Sequence, residues 1–330
     1  MSKEITIIMP HLNEGRNPQD TLDNLFSVTD SDLFDIVAID DATEGGHTPL
    51  PAWGGVRQIV HTERVGVDEC RHEGVLAAKT PYVFIIDAHM QFSEGWLEKL
   101  LEYLHREPST VFCTTCLGLG FGKNNIDEEG LPIYKGATIQ FIDPDVPRCR
   151  NGEPKPARQV LEPKWLTREQ WGTAACWEIP CVLGANYGMS VKWYNHIKGL
   201  AGLKMWGTSE PFLSMKSWLA GGSCKVIDEI EIGHLFRDQS PFTTYVWNLI
   251  YNKLYMMAVM FPSDLGNYLS EQFVVNDDFR IAQEELDKNL PEMMEARKYF
   301  HSIAEYDVEW FMDKFDIQLP AHRELQEVIA

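Results

Sequence analysis

The chain has 330 residues, 44% of them hydrophobic and 24% charged, which are ordinary globular proportions and exclude a fibre or a disordered tail protein. At ~150 residues per domain, this length predicts one large or two modest domains. Lys and Arg number 29 against 49 Asp and Glu, a formal charge of −20 that excludes a surface gripping nucleic acid or anionic membrane over its whole extent.

The opening run from Met1 to Pro10 holds one short apolar stretch ended by proline, too short for a membrane span or a secretory signal. A soluble, cytoplasmic protein with no membrane partner is expected. Ile5–Met9 is a β-branched run predicted as a strand, Pro10–Gly15 a loop, and Thr21–Phe26 a helix. Asp35–Ile39 is a second predicted strand, closed by Asp40 and Asp41. A helix is predicted around Asp68–Ala78, then a strand over Tyr82–Ile86 that ends in Asp87. Short buried strands alternating with helices indicate an α/β fold with a largely parallel sheet. Ligands bind such sheets at the carboxyl ends of the strands, where these polar residues fall.

Residues 121–180 are rich in Gly, Pro and Trp with weak helical periodicity. Between Arg148 and Arg168 six basic residues (Arg148, Arg150, Lys155, Arg158, Lys164 and Arg168) face Glu153 and Glu162. Such a run reads either as a solvated loop or as a contact surface for an anionic or stacking acceptor, with Trp165 inside it. From about Thr243 the pattern is helical, and Glu271–Ala330 carries 15 acids against 6 bases, a helical appendage with a solvated acidic face. Seven cysteines, an odd number in a long chain, argue against a disulfide framework and for a reducing compartment. Cys113 and Cys116 form a CxxC with no second one to complete a four-thiolate zinc site, so they read as buried thiols.

The sharpest chemical feature is Asp87-Ala88-His89. Positions i and i+2 share one face of an extended chain, so a carboxylate and an imidazole can converge on one ion. That mixed donor pair suits Mn2+ better than Mg2+, which prefers oxygen.

At this point the sequence resembles the catalytic domain of the polypeptide N-acetylgalactosaminyltransferases and their bacterial, archaeal and viral relatives among the GT-A glycosyltransferases. The residues that carry the resemblance are Arg64, Gly66, Arg71 and Gly74, thirteen residues before Asp87-Ala-His89, followed by Gly95-Trp-Leu-Glu98. Further on come Trp206-Gly207, Ser214 and Trp218, then Gly233-His234-Leu-Phe-Arg237 and Asn252-Lys-Leu254.

The resemblance implies a GT-A fold, a Rossmann-like, mostly parallel sheet flanked by helices. Residues 1–260 would form the catalytic domain, with a nucleotide-binding half at 1–115 and a sugar- and acceptor-binding half at 116–260, and 261–330 a helical C-terminal extension. It implies Asp87, His89 and His234 as metal ligands and Arg237 against the diphosphate. Pro10, His11, Asn13, Glu14, Asp40, Arg64, Gly66, Arg71 and Ala88 would hold the nucleotide, Gly184 and Ala185 would underlie the donor sugar, and Trp206 would border the leaving group. Plainer uses exist: a loop cap for Asp40, a helix cap for Glu14, a structural ion pair for Arg71, a core position for His234.

Two departures matter. The family's Trp-Gly-Gly-Glu-Asn is here Trp206-Gly-Thr-Ser-Glu210, leaving Glu210 either as the base that deprotonates the acceptor or as an anchor for donor hydroxyls. Phe242 stands where the family commonly has a donor-contacting Tyr, against N-acetylgalactosamine as the sugar. With no anchor at its start and too few residues after 260 for a lectin domain, a secretory enzyme acting on mucin-type peptides is not expected.

The reading is a Mn2+- or Mg2+-dependent glycosyltransferase moving a sugar from a nucleotide diphosphate sugar, UDP-linked, to a hydroxyl on a saccharide or small molecule. Alternatives are transfer to hydroxylated bases of viral DNA, for which Arg148, Arg150, Arg158 and Trp165 would be acceptor contacts, and a sugar-nucleotide-binding protein without turnover.

Overall fold

The structure is a computed structural model that describes residues 3–46, 50, 54–119, 133–143, 156–237 and 240–319. It opens with strand β1 (Ile5–His11), helix α1 (Asn17–Val28), strand β2 (Phe34–Asp40) and strand β3 (Val56–Val60). Helix α2 (Val67–Ala77) leads into β4 (Tyr82–Ile86) and the short β5 (Met90–Gln91). Next are α3 (Trp96–Arg106), β6 (Thr110–Leu119), β7 (Ile133–Tyr134), β8 (Ala137–Ile142), β9 (Val160–Trp165) and β10 (Cys176–Glu178). β11 (Asn186–Ser190), α4 (Val191–His196), α5 (Ser209–Leu219) and β12 (Ser223–Leu235) complete the sheet. Five helices follow: α6 (Val246–Met260), α7 (Ser263–Ser270), α8 (Asp277–Lys288), α9 (Leu290–Ile303) and α10 (Val308–Lys314).

The main sheet runs β10-β12-β6-β11-β4-β1-β2-β3, with β5 and β7 on its flank, while β8 and β9 form a separate ribbon. β1, β2, β3 and β4 are mutually parallel, and β11 runs against both β4 and β6. β12 is parallel to β6. Two reversals restore direction, so β1, β2, β4 and β12 all finish at the same edge while β11 begins there. This gathers segments as distant as 12–14, 40–41, 87–89, 184–185 and 234–237 at one place.

Ile5, Ile7, Ile8 and Met9 are wholly buried, as a central strand covered on both faces requires. α3 buries Trp96, Leu97, Leu100, Leu101 and Leu104, one helical face at spacings of three and four. α4 and α8 start on side-chain caps, Ser190 accepting from the Trp193 N–H and Asn276 from the Phe279 N–H.

Three sequence expectations are corrected. Pro10 and His11 belong to β1 rather than to a loop, in register with Ile39 and Asp40. β4 pairs with β1 only as far as Ile8, so at Pro10 the ladder continues on one side and the missing N–H costs little. Val56–Val60 is a strand that the sequence reading passed over, because an edge strand with alternating exposure lacks a long apolar run. Within 121–180 the described residues include the short strands β7, β8, β9 and β10. Arg148, Arg150 and Lys155 of the basic run lie outside the described residues, as does Glu153. Cys113 and Cys116 are buried on β6, and burial pushes both thiols up to about 12. Among the described residues no helix is long and apolar enough to cross a membrane.

Lys216 is buried on α5, its Nζ donating to the Gly199 carbonyl at 2.9 Å and lying 3.9 Å from the Phe212 ring centre. Burial first, then repulsion from Lys198, pushes its pKa down to about 7. Between pH ~7 and its unfolded value near ~10.4, the native state binds fewer protons than the unfolded chain, so this group makes stability rise with pH across that window. Lys216→Met should remove that slope. Urea denaturation should show the variant's stability relative to wild type falling by on the order of 2 kcal/mol from pH 7 to pH 10; a pH-independent difference would reject the assignment.

Candidate active site

The centre of the site is Arg71, carried by α2 and buried at the sheet edge. Its Nη1 donates to Glu210 Oε1 at 2.9 Å and to Ser209 Oγ at 3.2 Å. Nη2 donates to Asp87 Oδ1 at 3.3 Å and to the Gly184 carbonyl at 3.2 Å. One guanidinium therefore ties α2 to the end of β4, the approach to β11 and the start of α5. A planar fork of donors does this where a lysine would not.

Asp68, one turn earlier on α2, is fully buried and accepts from Ser209 Oγ and from Asn252 Nδ2. Burial pushes its carboxyl up to about 8, against the pull of Arg71 at 4.0 Å. Asn252 also donates to the carbonyls of Lys204 and Gly207 at 2.8 Å each. These bonds fix the segment 205–210, where Met205, Gly207 and Thr208 all take positive φ. Gly66 packs on the same segment, and a Cβ there would lie 2.0 Å from Met205 Cα. The glycine is required for backbone approach, and Gly66 lines neither cavity described below.

At the carboxyl edge β5 pairs with β12, setting Met90 opposite His234. His89 Nε2 and His234 Nε2 are 3.1 Å apart, and Asp87 Oδ2 lies 3.3 Å from the second and 3.9 Å from the first. One atom from each of the three residues falls within 4.8 Å of the others. Ligands ~2.1 Å from an ion and at right angles to one another are roughly 3 Å apart, so the two spacings made by His234 fit adjacent positions around a single divalent cation, while the 3.9 Å spacing between Asp87 and His89 is wider. Two imidazole nitrogens and a carboxylate oxygen are the mixed donor set expected from sequence.

Glu14 accepts from Arg237 Nη2 at 2.7 Å and lies 3.3 Å from His89 Nδ1, so it steadies one proposed ligand and one cation together. Burial raises the Glu14 carboxyl, but His89 and Arg237 outweigh it and hold the group below its ordinary value. Asp87 is held well below the usual carboxylate range, burial being overcome by His234, His89 and Arg71.

Two cavities meet at Arg71, Asp87 and Trp206. The smaller, about 130 Å³, is lined by Pro10, His11, Glu14, Arg64, Ala88, His89 and Arg237 together with Asp41 and Phe242. Arg64 donates to the Thr243 carbonyl at 2.6 Å and lies over Phe242 at 5.0 Å. Asp41, expected from the sequence only as a polar residue closing β2, faces this cavity and accepts from the Val65 and Gly66 N–H groups. Asp40 instead accepts from the Thr43 N–H at 2.8 Å and lines a neighbouring cleft with His11 and Glu14. Asn13 ties loops together: it donates to the Pro241 carbonyl and accepts from the Glu44 N–H.

The larger cavity, about 340 Å³, is lined by Gly184, Ala185, Glu210 and His234 and also by Arg158, Glu162, Trp165 and Lys253. A Cβ on Gly184 would press against Glu210 Oε1 at 3.1 Å, so the glycine makes room for that carboxylate. Glu162 accepts from Arg158 Nη1 at 2.8 Å and from the buried Lys253 Nζ at 2.9 Å. Lys164 pairs with Asp143 at 3.2 Å. Two cations of the described part of the basic run, Arg158 and Lys164, are thus engaged by carboxylates, while Arg168 is exposed and lies over the Trp171 ring.

With this geometry in view, three comparisons identify the chain's relatives. Residues 6–149 match the family described as Glycosyl transferase family 2. Over that stretch, less than half of its length, the chain is similar to this family. A putative polypeptide N-acetylgalactosaminyltransferase 13 of Drosophila melanogaster is 28% identical over 234 residues, 69% of this chain and 38% of that protein. Polypeptide N-acetylgalactosaminyltransferase 10 of Mus musculus is 22% identical over 324 residues, 96% of this chain and 50% of the relative. The chain spans half or less of the length of both. Among solved structures, GalNAc-T7 with UDP, GalNAc and Mn2+ superposes with a TM-score of 0.68 at 17% identity, over 95% of this chain and 57% of that one. The shared fold is the GT-A-like arrangement expected from the sequence.

Mn2+ titrated into the protein and followed by the electron paramagnetic resonance of the free ion should bind one site. His234→Ala and Asp87→Ala should each weaken that binding at least tenfold, on the scale by which even outer-shell changes act at metal sites. Equal binding by all three proteins would place the ion elsewhere.

Proposed function

We propose that the protein transfers a sugar from a UDP-sugar to a hydroxyl acceptor, with Mn2+ as the divalent cation. The observation that carries this reading is the convergence of Asp87, His89 and His234 beside Arg237 at the carboxyl edge of a family 2-like sheet. The relatives named as N-acetylgalactosaminyltransferases, and the neighbour holding UDP and Mn2+, support the donor and the cation.

Charge supports it independently. Each arginine at the smaller cavity has a carboxylate close by: Arg237 with Glu14 at 2.7 Å, Arg71 with Asp87 at 3.3 Å, Arg64 with Asp41 at 3.8 Å. A diphosphate entering this balanced site brings negative charge that the side chains alone leave uncompensated. A divalent cation on Asp87, His89 and His234 supplies that compensation, and stabilises the leaving oxygen as the bond to the sugar breaks.

The chain's own groups divide the remaining work. Arg237, 3.1 Å from His89 Nδ1, is placed to meet the departing diphosphate. Arg64 and Phe242 flank the opposite end of the cavity, where the nucleotide would lie. Trp206 stands where the cavities join and so borders the bond that breaks. Glu210 shares Arg71 with Asp87, which puts it on the leaving-group side. A base for an incoming hydroxyl is needed on the other side, so Glu210 is read as a holder of donor-sugar hydroxyls.

Incubation with UDP-, GDP- and CDP-sugars should release UDP in a Mn2+-dependent way from a UDP-sugar. Chelator should abolish the release, and Asp87→Ala should lower it at least ~100-fold, the scale of a lost transition-state contact. Cleavage between the phosphates, giving UMP, would mark a phosphohydrolase instead. Glu210→Gln should raise the donor KM while keeping kcat within about tenfold; a loss of ~10²–10⁴ in kcat with donor KM unchanged would make Glu210 the base.

A further inference from the structure

Resting on the transferase reading above, we propose that the outer end of the larger cavity is a subsite for a pyranose ring, so that the acceptor hydroxyl belongs to a saccharide. Three aromatic rings form one wall. Tyr134 and Trp165 have ring centres 3.8 Å apart, and Phe236 lies edge-on to both at 5.1 and 5.6 Å. Phe236 in turn lies edge-on to His234, with centres 4.4 Å apart. The aromatic wall therefore runs directly from a proposed metal ligand to the cavity mouth. Trp165 ends this wall with 49% of its surface exposed while also lining the cavity, which leaves ring surface available to a ligand. The C–H face of a pyranose ring carries partial positive charge and complements the negative face of an indole.

The same cavity is also lined by charged groups held by one another. Glu162 is fixed between Arg158 and Lys253, and Arg158 lies over Trp206 with its guanidinium 5.6 Å from the ring centre. Arg158 keeps further N–H donors, and the Glu162 oxygens keep further lone pairs, for paired donor and acceptor contacts to sugar hydroxyls. Around the cavity three cations, Arg71, Arg158 and Lys253, meet three carboxylates, Asp87, Glu162 and Glu210. This balance suits a neutral polyhydroxylated acceptor and disfavours a polyanion. The cavity, at about 340 Å³, falls in the range of small-ligand sites, ~300–1,000 Å³.

The test combines direct binding with product analysis on the full chain, in UDP and Mn2+ for binding and in a UDP-sugar and Mn2+ for transfer. Methyl glycosides of glucose, galactose and N-acetylglucosamine at 10 mM are examined by saturation-transfer NMR, beside a Ser/Thr-containing peptide and hydroxymethylated duplex DNA, and products are read by mass spectrometry. At least one glycoside should bind and become glycosylated. Trp165→Ala should raise the Kd and KM for that glycoside about tenfold, and Trp165→Phe should recover most of the loss. No glycoside binding, or transfer to the peptide or DNA alone, would overturn the proposal while donor cleavage kept the transferase reading intact. Glycoside binding that depends on Trp165, in a protein that cleaves no donor, would keep the subsite and overturn the transferase reading.

Discussion

Arg71 is the interaction on which the site's geometry depends. It reaches two carboxylates, a hydroxyl and a carbonyl contributed by segments more than a hundred residues apart, and it does so while buried. Burial works against its charge, yet the surrounding anions more than offset this and raise its pKa. The dependence is mutual. Without the guanidinium, Asp87 and Glu210 would share one cavity as uncompensated carboxylates, the situation that makes breaking a buried pair cost ~3–5 kcal/mol. Asp87 then serves two partners at once: Oδ1 faces Arg71 and Oδ2 faces the histidines. The arginine fixes which oxygen is presented to an ion, which is how a structural contact becomes a condition for metal binding.

The same pairing logic separates the two cavities by task. In the smaller one every arginine is balanced, so on the proposed reading a diphosphate would need charge from outside the polypeptide, and donor binding would be coupled to cation binding. In the larger one the balance is already complete and the walls are aromatic, which favours a neutral ring over an anion. Trp206 and Arg71 border both.

Much of this was legible in the sequence where the signal is local. The apolar runs of β1, β2 and β4 and the polar residues that close them are contiguous, and Asp87-x-His89 marks two proposed ligands within three residues, although they sit in the bend between β4 and β5 rather than on the extended strand expected from the sequence. His234 and Arg237 were reached through resemblance, since nothing in their own segment points to Asp87. What stayed hidden depends on pairings across the fold. Asp68 looks like an ordinary first-turn acid of α2 until α5 and α6 bring Ser209 and Asn252 to it. Arg158 read as part of a basic strip, and only the fold shows that it and the distant Lys253 share one carboxylate, Glu162. Asp40 and Asp41 are adjacent and chemically identical, so only the alternation of side chains at the end of β2 decides which one faces the cavity.

The C-terminal helices enter this account through α6. Asn252 and Lys253 are neighbours on that helix, yet one holds the 205–210 segment and the other holds Glu162, so α6 braces both ends of the larger cavity. α6 is itself packed by α8 and α9. Arg297 of α9 donates to the carbonyls of Ala258 and Phe261 at 2.6 and 2.9 Å, groups that the end of α6 leaves without helical partners. Glu285 of α8 pairs with Lys204, whose N–H and carbonyl are both bonded to Asn252. An acidic helical segment that carries none of the proposed catalytic or ligand-binding groups thus sets the position of the helix that shapes the site. Changes in α8 or α9 would reach catalysis through the placement of Asn252 and Lys253 rather than through any contact with substrate.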